Sequence, residues 1–307
     1  MRIIDLHQDI LLHQRDQTQY KHKEQTSLGK ILNSNISIVF GTGFVFGENQ
    51  LESIQEDIDE YIQFANKYTH VCVIKNKDDL QSIDDETDKK GIIIHIEGLN
   101  TFEDTSYCWD MLENFYQKGL RSIGIVWTKE NPLGGGNDSE TQGLTELGKK
   151  VILWAQERNI LIDYAHMNEK TFYDVAKISK KPIFVSHGNA KAICQNNRNY
   201  TDEQLMLVKN SGGLVGVFFA NSCLVSEGQA TIDDVVRHIV YMRNLIGIEY
   251  VALGSDLGGL TLNIPENLRN IFELNNLENA LLKHGFTQQE IDKVLYSNAM
   301  RFLKENI

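Results

Sequence analysis

The strongest constraint in this chain is an alternation. Short runs of apolar and β-branched residues are followed repeatedly by longer segments with helical spacing. That alternation is the pattern of parallel βα units, in which each strand returns to the same end of the sheet through a helix. Eight runs read as strands: Arg2–His7, Ile36–Gly41, Gly91–Glu97, Arg121–Trp127, Ile160–His166, Pro182–His187, Gly213–Phe218 and Tyr250–Ser255. Eight such units within 307 residues predict a closed (β/α)8 TIM barrel, with 1–307 as a single domain. A ninth run, His70–Ile74, is surplus and is placed outside the barrel, between the second and third strands. A doubly wound open sheet is the competing architecture, but no glycine-rich dinucleotide turn follows the first strand.

Helical patterns fill the gaps. Leu51–Tyr68, Thr145–Arg158 and Ile232–Ile246 carry apolar residues at helical spacing. Thr201-Asp202-Glu203-Gln204 and Thr287-Gln288-Gln289-Glu290 read as capping boxes. Gly285 follows the run Ile271–His284 where a C-terminal glycine is expected. Two polar loops, Lys129–Gly143 and Asn221–Thr231, follow strands at the end where barrels place their sites.

The first strand runs into Asp5-Leu6-His7-Gln8-Asp9. Residues two apart on a strand point the same way, so His7 and Asp9 present an imidazole and a carboxylate to one spot. That mixed N/O pair suits a divalent metal. Later strand ends carry His95 and Glu97, then His166, His187 and Asp256. In a barrel those ends converge on one face. His7, Asp9, Glu97, His166 and His187 exceed the ligand count of one tetrahedral zinc and match two metals sharing a carboxylate. His95 reads either as a residue that orients a ligand or as a satisfied interior histidine, and Asp163 is similarly open. Asp5 reads as a supporting residue. Asp256 is either a helix N-cap or, on the site face, an acid/base. His13, His22, His70, His238 and His284 lack such context and read as surface or cap residues.

Composition excludes several classes. The formal charge of −12 argues against nucleic acid as a partner, which needs clustered Lys and Arg. No signal peptide, membrane-spanning run or lipidation motif is visible, so no membrane association and a cytoplasmic location are expected. The four cysteines show no CxxC pair and read as reduced thiols.

Taken in order, the segments Asp5–Asp9, Ile96-Glu97-Gly98, Asp163-Tyr164-Ala165-His166, Ser186-His187-Gly188-Asn189-Ala190, Arg198-Asn199-Tyr200-Thr201-Asp202, Gly254-Ser255-Asp256 and Asn298-Ala299-Met300-Arg301 resemble the membrane (renal-type) dipeptidases. That family is a branch of the metal-dependent amidohydrolases. The resemblance spans nearly the whole chain. It implies a (β/α)8 barrel with a binuclear centre of two divalent metal ions, zinc being the expected metal. By that resemblance His7 and Asp9 bind one ion, His166 and His187 the other, and Glu97 bridges them. Asp256 would carry a proton, and Arg198 would grip the terminal carboxylate of a dipeptide, including one with a C-terminal D-residue.

Two departures stand out. Where better-known members have Leu-Thr-His, this chain has Ile125-Val126-Trp127, which removes an imidazole expected at the substrate carbonyl. A bacterial subgroup has Leu-Thr-Trp with a nearby Asn, which Trp127 and Asn131 resemble, so both are candidate substrate contacts. Gly258 stands where the family often has Asp. The expected activity is that of a soluble metallodipeptidase acting on small dipeptides; a homodimer is compatible with the sequence. The rival enzyme reading is another amidohydrolase, such as a deaminase, lactonase or phosphoesterase. Those barrels more often open with His-x-His and bridge their metals with a carboxylated lysine. A non-catalytic barrel scaffold is the rival of another class, and the intact ligand positions weigh against it.

Overall fold

Nine parallel strands form one sheet in the computed structural model, which describes residues 1–12, 22–44, 47, 49–261 and 263–307. They are β1 (Ile3–Gln8), β2 (Ile36–Gly43), β3 (Val71–Val73), β4 (Lys90–Glu97), β5 (Leu120–Gly124), β6 (Leu161–Asp163), β7 (Phe184–Val185), β8 (Leu214–Val217) and β9 (Val251–Leu253). Their order is β2-β1-β9-β8-β7-β6-β5-β4-β3, and β2 also pairs with β4. With β3 set aside the order closes on itself, giving the ring of a (β/α)8 barrel. The surplus strand lies outside that ring, where β3 pairs with the start of β4, Val71 opposite Lys90. Every residue of β1, β2 and β4 is buried, as expected of parallel strands covered on both faces.

Contacts divide the chain into two compact units whose boundaries fall within β2, within β7 and within the last helix, Asn298–Asn306. The first comprises Met1–Phe40 and Val185–Leu303. Here β1 pairs with β9 at Asp5 and Leu253, and β8 with β9 from Val215 and Val251 to Val217 and Leu253. Glycine is required at two points. A Cβ on Gly216 would lie 2.1 Å from the Ser186 carbonyl oxygen, and one on Gly254 only 1.8 Å from it. That close approach seats the segment leading into His187 directly against β8 and β9. The helix Ile232–Ile246 has the expected bounds and buries Val235, Val236, Ile239, Met242 and Ile246.

The second unit comprises Gly41–Phe184 and Lys304–Ile307. Its register aligns Glu97 with Gly124 and Gly124 with Asp163, so one row across β4, β5 and β6 carries two carboxylates. Helices Gln50–Lys67 and Glu146–Glu157 lie within a residue of expectation.

Several boundaries differ from the sequence reading. Strands β5, β6, β7 and β9 are shorter than expected, so Trp127, His166 and His187 lie in the connections beyond them, as Asp256 does beyond β9. His166 and Asp256 have φ of 64° and 61°, which no strand accommodates. The helix expected over Ile271–His284 begins only at Asn275. Before it, the Asn270 side chain accepts from the Phe272 and Glu273 amides, a local turn that competes with helix. Both capping boxes form as read, and Gly285 ends its helix at φ 81°.

Among the histidines read as surface residues, His70 and His284 are exposed, whereas His238 is fully buried. It occupies the same helix stripe as Val235 and Met242, three and four residues away, and so faces the core. His13 and the side chain of His22 lie outside the described residues. Among the described residues no helix is long and apolar enough to cross a membrane.

Candidate metal centre and substrate site

In the first unit the site begins at a buried anchor. Asp5 accepts from Gln8 Nε2 at 2.7 Å, from Ser255 Oγ at 2.5 Å and from the Ser255 amide at 2.9 Å. Burial pushes the Asp5 carboxyl up from its ordinary value, and these bonds oppose that shift. The anchor joins the strand carrying His7 to the residue before Asp256. His7 Nε2 lies 3.7 Å from Asp9 Oδ2 and 3.6 Å from Asp256 Oδ1. One ligand atom from each of these three residues falls within 4.8 Å of the others. The His187 ring stacks 4.0 Å from that of His7, and its Nδ1 lies 2.7 Å from Ser186 Oγ. That contact occupies Nδ1 and leaves Nε2 as the ring's coordinating atom.

Glycine also shapes this half. A Cβ on Gly259 would sit 2.2 Å from Asp9 Oδ2 and 2.6 Å from Asp256 Oδ1, so the backbone lies flush against both carboxylates. Gly258 has φ 97°, and a Cβ there would meet the Asp9 carbonyl oxygen at 2.4 Å. Its amide donates to Gln25 Oε1 at 2.8 Å. In this conformation position 258 has no room for the Asp of related sequences.

In the second unit Glu97 closes β4, and its Oε1 lies 2.8 Å from His166 Nε2. The other ring nitrogen, His166 Nδ1, lies 3.3 Å from Asn137 Oδ1. His95 lies behind this pair: its Nδ1 is 2.9 Å from Ser122 Oγ and its Nε2 3.5 Å from Asp163 Oδ2. Trp127 stands with its ring 6.1 Å from that of His166 and 4.9 Å from that of Phe44.

The loop 129–143 is tied closely to this half. The Asn137 amide donates to the His166 carbonyl at 2.8 Å, and Asn168 Nδ2 donates to the carbonyls of Ser139 and Gln142. Asn131 is spent on the loop itself. Its Nδ2 donates to Asn100 Oδ1 and the Ile125 carbonyl, while its Oδ1 accepts from the Leu133 and Gly134 amides. Those bonds use both amide hydrogens, which makes Asn131 a loop anchor in this arrangement.

Backbone strain concentrates at the candidate residues. Among the described residues, the non-glycine positions with positive φ are His166, Asp256 and three asparagines, a type that tolerates this region. An imidazole and a carboxylate held there point to geometry maintained for function.

Arg198 lies on the loop beyond β7. It is buried at 7% exposure, its Nη2 donates to the His187 carbonyl at 3.3 Å, and its guanidinium carbon stands 5.2 Å from the Phe218 ring centre. Its Nε has no hydrogen-bond partner among the described residues, and no carboxylate pairs with it there. A buried cation without a counter-charge is costly. A cavity of about 320 Å³ opens beside Asp256, lined by Phe219, Asn221, Ser222, Gly259, Leu260 and Ile264 among others. That volume is at the small end for ligand sites.

The donors present fit divalent metal. Asp9 Oδ1 is buried with no hydrogen-bond partner among the described residues, a position that suits a cation. Sequence reasoning named the donors but missed Ser186 and Asn137, which turn the rings of His187 and His166. It also missed Gly259, although a Gly-Gly pair after an acidic residue was a visible signal.

The family model for membrane dipeptidases, peptidase family M19, matches residues 1–306. An uncharacterised protein from the pqqA 5′ region of Klebsiella pneumoniae is 38% identical over 224 residues, 69% of this chain and 81% of that protein. Dipeptidase 3 of Rattus norvegicus is 26% identical over 326 residues; the match takes in 99% of this chain but only 64% of the rat protein. A solved metallopeptidase from Rhodobacter sphaeroides, liganded with a phosphinate mimic of L-Ala-D-Ala, superposes with a TM-score of 0.89 at 23% identity. That superposition covers 100% of this chain and 99% of the other, and it shows a shared fold.

Proposed function

The chain belongs to the membrane dipeptidase family, peptidase family M19, a family of hydrolytic enzymes, and from that premise we propose that it is a two-metal dipeptidase whose substrates carry a free C-terminal carboxylate. The observation that carries the substrate reading is Arg198, a buried guanidinium with no acid beside it among the described residues. Its planar fork matches a carboxylate bidentately.

In this reading His7, Asp9, His166 and His187 hold two divalent ions, with Glu97 shared and zinc the expected metal. Such ions supply a water nucleophile at neutral pH and a Lewis acid for the scissile carbonyl. The chain's own residues do the rest. Ser186 and Asn137 hold His187 and His166 at their Nδ1 atoms, which fixes ring orientation before any ligand arrives. Asp256, 14% exposed and 3.6 Å from His7 Nε2, takes a proton from the attacking water and passes it to the leaving amine. Arg198 holds the C-terminal carboxylate, and the ring of Trp127 flanks the scissile peptide. The Rhodobacter protein is liganded with a phosphinate mimic of L-Ala-D-Ala, and by analogy this reading takes L,D- as well as L,L-dipeptides as substrates of this chain.

The test is kinetic. Metal-reconstituted protein is assayed on free and C-terminally amidated L,L- and L,D-dipeptides. Free dipeptides should be hydrolysed, and Arg198→Lys and Arg198→Ala should cut kcat/KM for them by about 10²-fold or more. Amidated dipeptides, poor substrates from the outset, should change little. Equal losses on both substrate sets would remove the carboxylate-binding role, and failure to cleave any dipeptide would remove the function.

A further inference from the structure

Among the buried titratable groups that the proposed chemistry leaves unused is His238, and its bonds are informative. The Ala190 amide donates to His238 Nδ1 at 3.2 Å, and His238 Nε2 lies 3.2 Å from the Leu224 carbonyl oxygen. An amide N–H facing Nδ1 requires a lone pair there, so the proton sits on Nε2 and is donated to Leu224. Burial pushes the imidazole down to about 4, which keeps it neutral.

Each bond reaches a different arm of the substrate site. On one side Ala190 pairs with Tyr200 across a short bridge: the Tyr200 amide donates to the Asn189 carbonyl and the Lys191 amide to the Tyr200 carbonyl, both at 2.8 Å. Whatever fixes Ala190 therefore fixes Tyr200, two residues from Arg198. On the other side Leu224 ends the short helix Asn221–Leu224, whose Asn221 and Ser222 wall the cavity beside Asp256. Two asparagines brace the same gap. Asn189 exchanges bonds with the backbone of Phe218, and Asn199 Nδ2 donates at 2.8 Å to the carbonyls of both Cys194 and Cys223.

We propose that His238 is a positioning residue that ties the arm bearing Arg198 to the cavity wall at Asn221 and Ser222, and so sets where the carboxylate end of the substrate is held. This rests on the reading of Arg198 given above. Loss of the tie should move the carboxylate grip relative to the cavity while leaving the metal ligands and Asp256 in place.

The experiment compares His238→Leu, His238→Asn and His238→Gln in metal-loaded enzyme, with L-Ala-L-Ala as probe. Leu offers no polar atom. Asn keeps an acceptor near Nδ1 but falls short of Leu224. Gln offers an acceptor and a donor at about the spacing of the two ring nitrogens. The Leu variant should raise KM about 10-fold or more with kcat within about 3-fold and full metal content. The Asn variant should be intermediate, and Gln should recover most of the wild-type KM. If the Leu variant does not fold, the Asn and Gln pair carries the comparison. A wild-type KM in the Leu or Asn variant overturns the proposal, as does a joint fall of kcat, metal content and Tm. Inactive wild-type enzyme would instead overturn the dipeptidase reading, and this inference with it.

Discussion

Asp9 and Glu97 are both carboxylates at strand ends, yet they stand in different company. Asp9 keeps one buried oxygen without a hydrogen-bond partner among the described residues, whereas Glu97 already contacts His166 at 2.8 Å. If Glu97 is shared by two ions, its loss harms both, while loss of His166 harms one. Glu97→Ala should therefore lower bound metal from about two equivalents by more than His166→Ala does. Elemental analysis after reconstitution reads this, and equal losses would argue against a bridging role. Asp256→Asn keeps nearly the same shape but cannot carry the proton. Its kcat should fall by about 10²–10⁴ with metal content unchanged, and loss of metal would make Asp256 a ligand instead. At this scale the candidate donors were legible because His-x-Asp and the strand-end acids are visible as letters. Their orienting partners were not, because a serine beside a histidine or an asparagine 29 residues away carries no such mark. His238 was misread for a related reason. A polar letter on an apolar helix stripe reads as exposed until its two backbone partners are seen.

The elements were legible wherever periodicity alone decides. Ile232–Ile246 came out at its expected bounds, and the surplus strand β3 falls outside the ring. Strand ends were less legible because His166, beyond β6, and Asp256, beyond β9, adopt left-handed backbone that no apolar pattern announces. The loop 129–143 was opaque for a different reason: part of its order comes from side chain to backbone bonds made by residues distant in sequence. Asn168 is the central case. It caps the helix Glu169–Ile178 by accepting from the Thr171 amide at 2.8 Å, and its Nδ2 holds the Ser139 and Gln142 carbonyls. Asn168→Ala removes both functions and should cost about 1 kcal/mol from the cap alone. Asn168→Asp keeps the cap acceptor but loses the donors. It should retain most of the thermal stability while the loop becomes more readily cut in limited proteolysis. If the Asp variant resists proteolysis like wild type, the loop is held by its other bonds.

For the whole molecule, the expectation of one barrel over 1–307 met a ring of strands and two compact units that divide within β2, β7 and the last helix. Stability of such a fold depends on pH through every group whose proton affinity changes on folding, and His238 is a clear case among the described residues. Its folded value lies near 4, below the 6.5 of an unburied imidazole, because burial penalises the charged ring. Between those values the unfolded chain binds a proton that the folded chain does not, so falling pH favours unfolding. The stabilisation is fully present above about pH 6.5, is lost as pH falls toward 4, and amounts to about 3 kcal/mol in total. His238→Gln cannot titrate. Denaturant unfolding of wild type and variant at pH 7.5 and pH 5 isolates the difference, because metal ligands and other carboxylates contribute equally to both proteins. Wild type should lose about 2 kcal/mol more than the variant over that interval. Parallel losses in the two proteins would mean that His238 is protonated in the fold at pH 5. Ala190 would then have lost its acceptor.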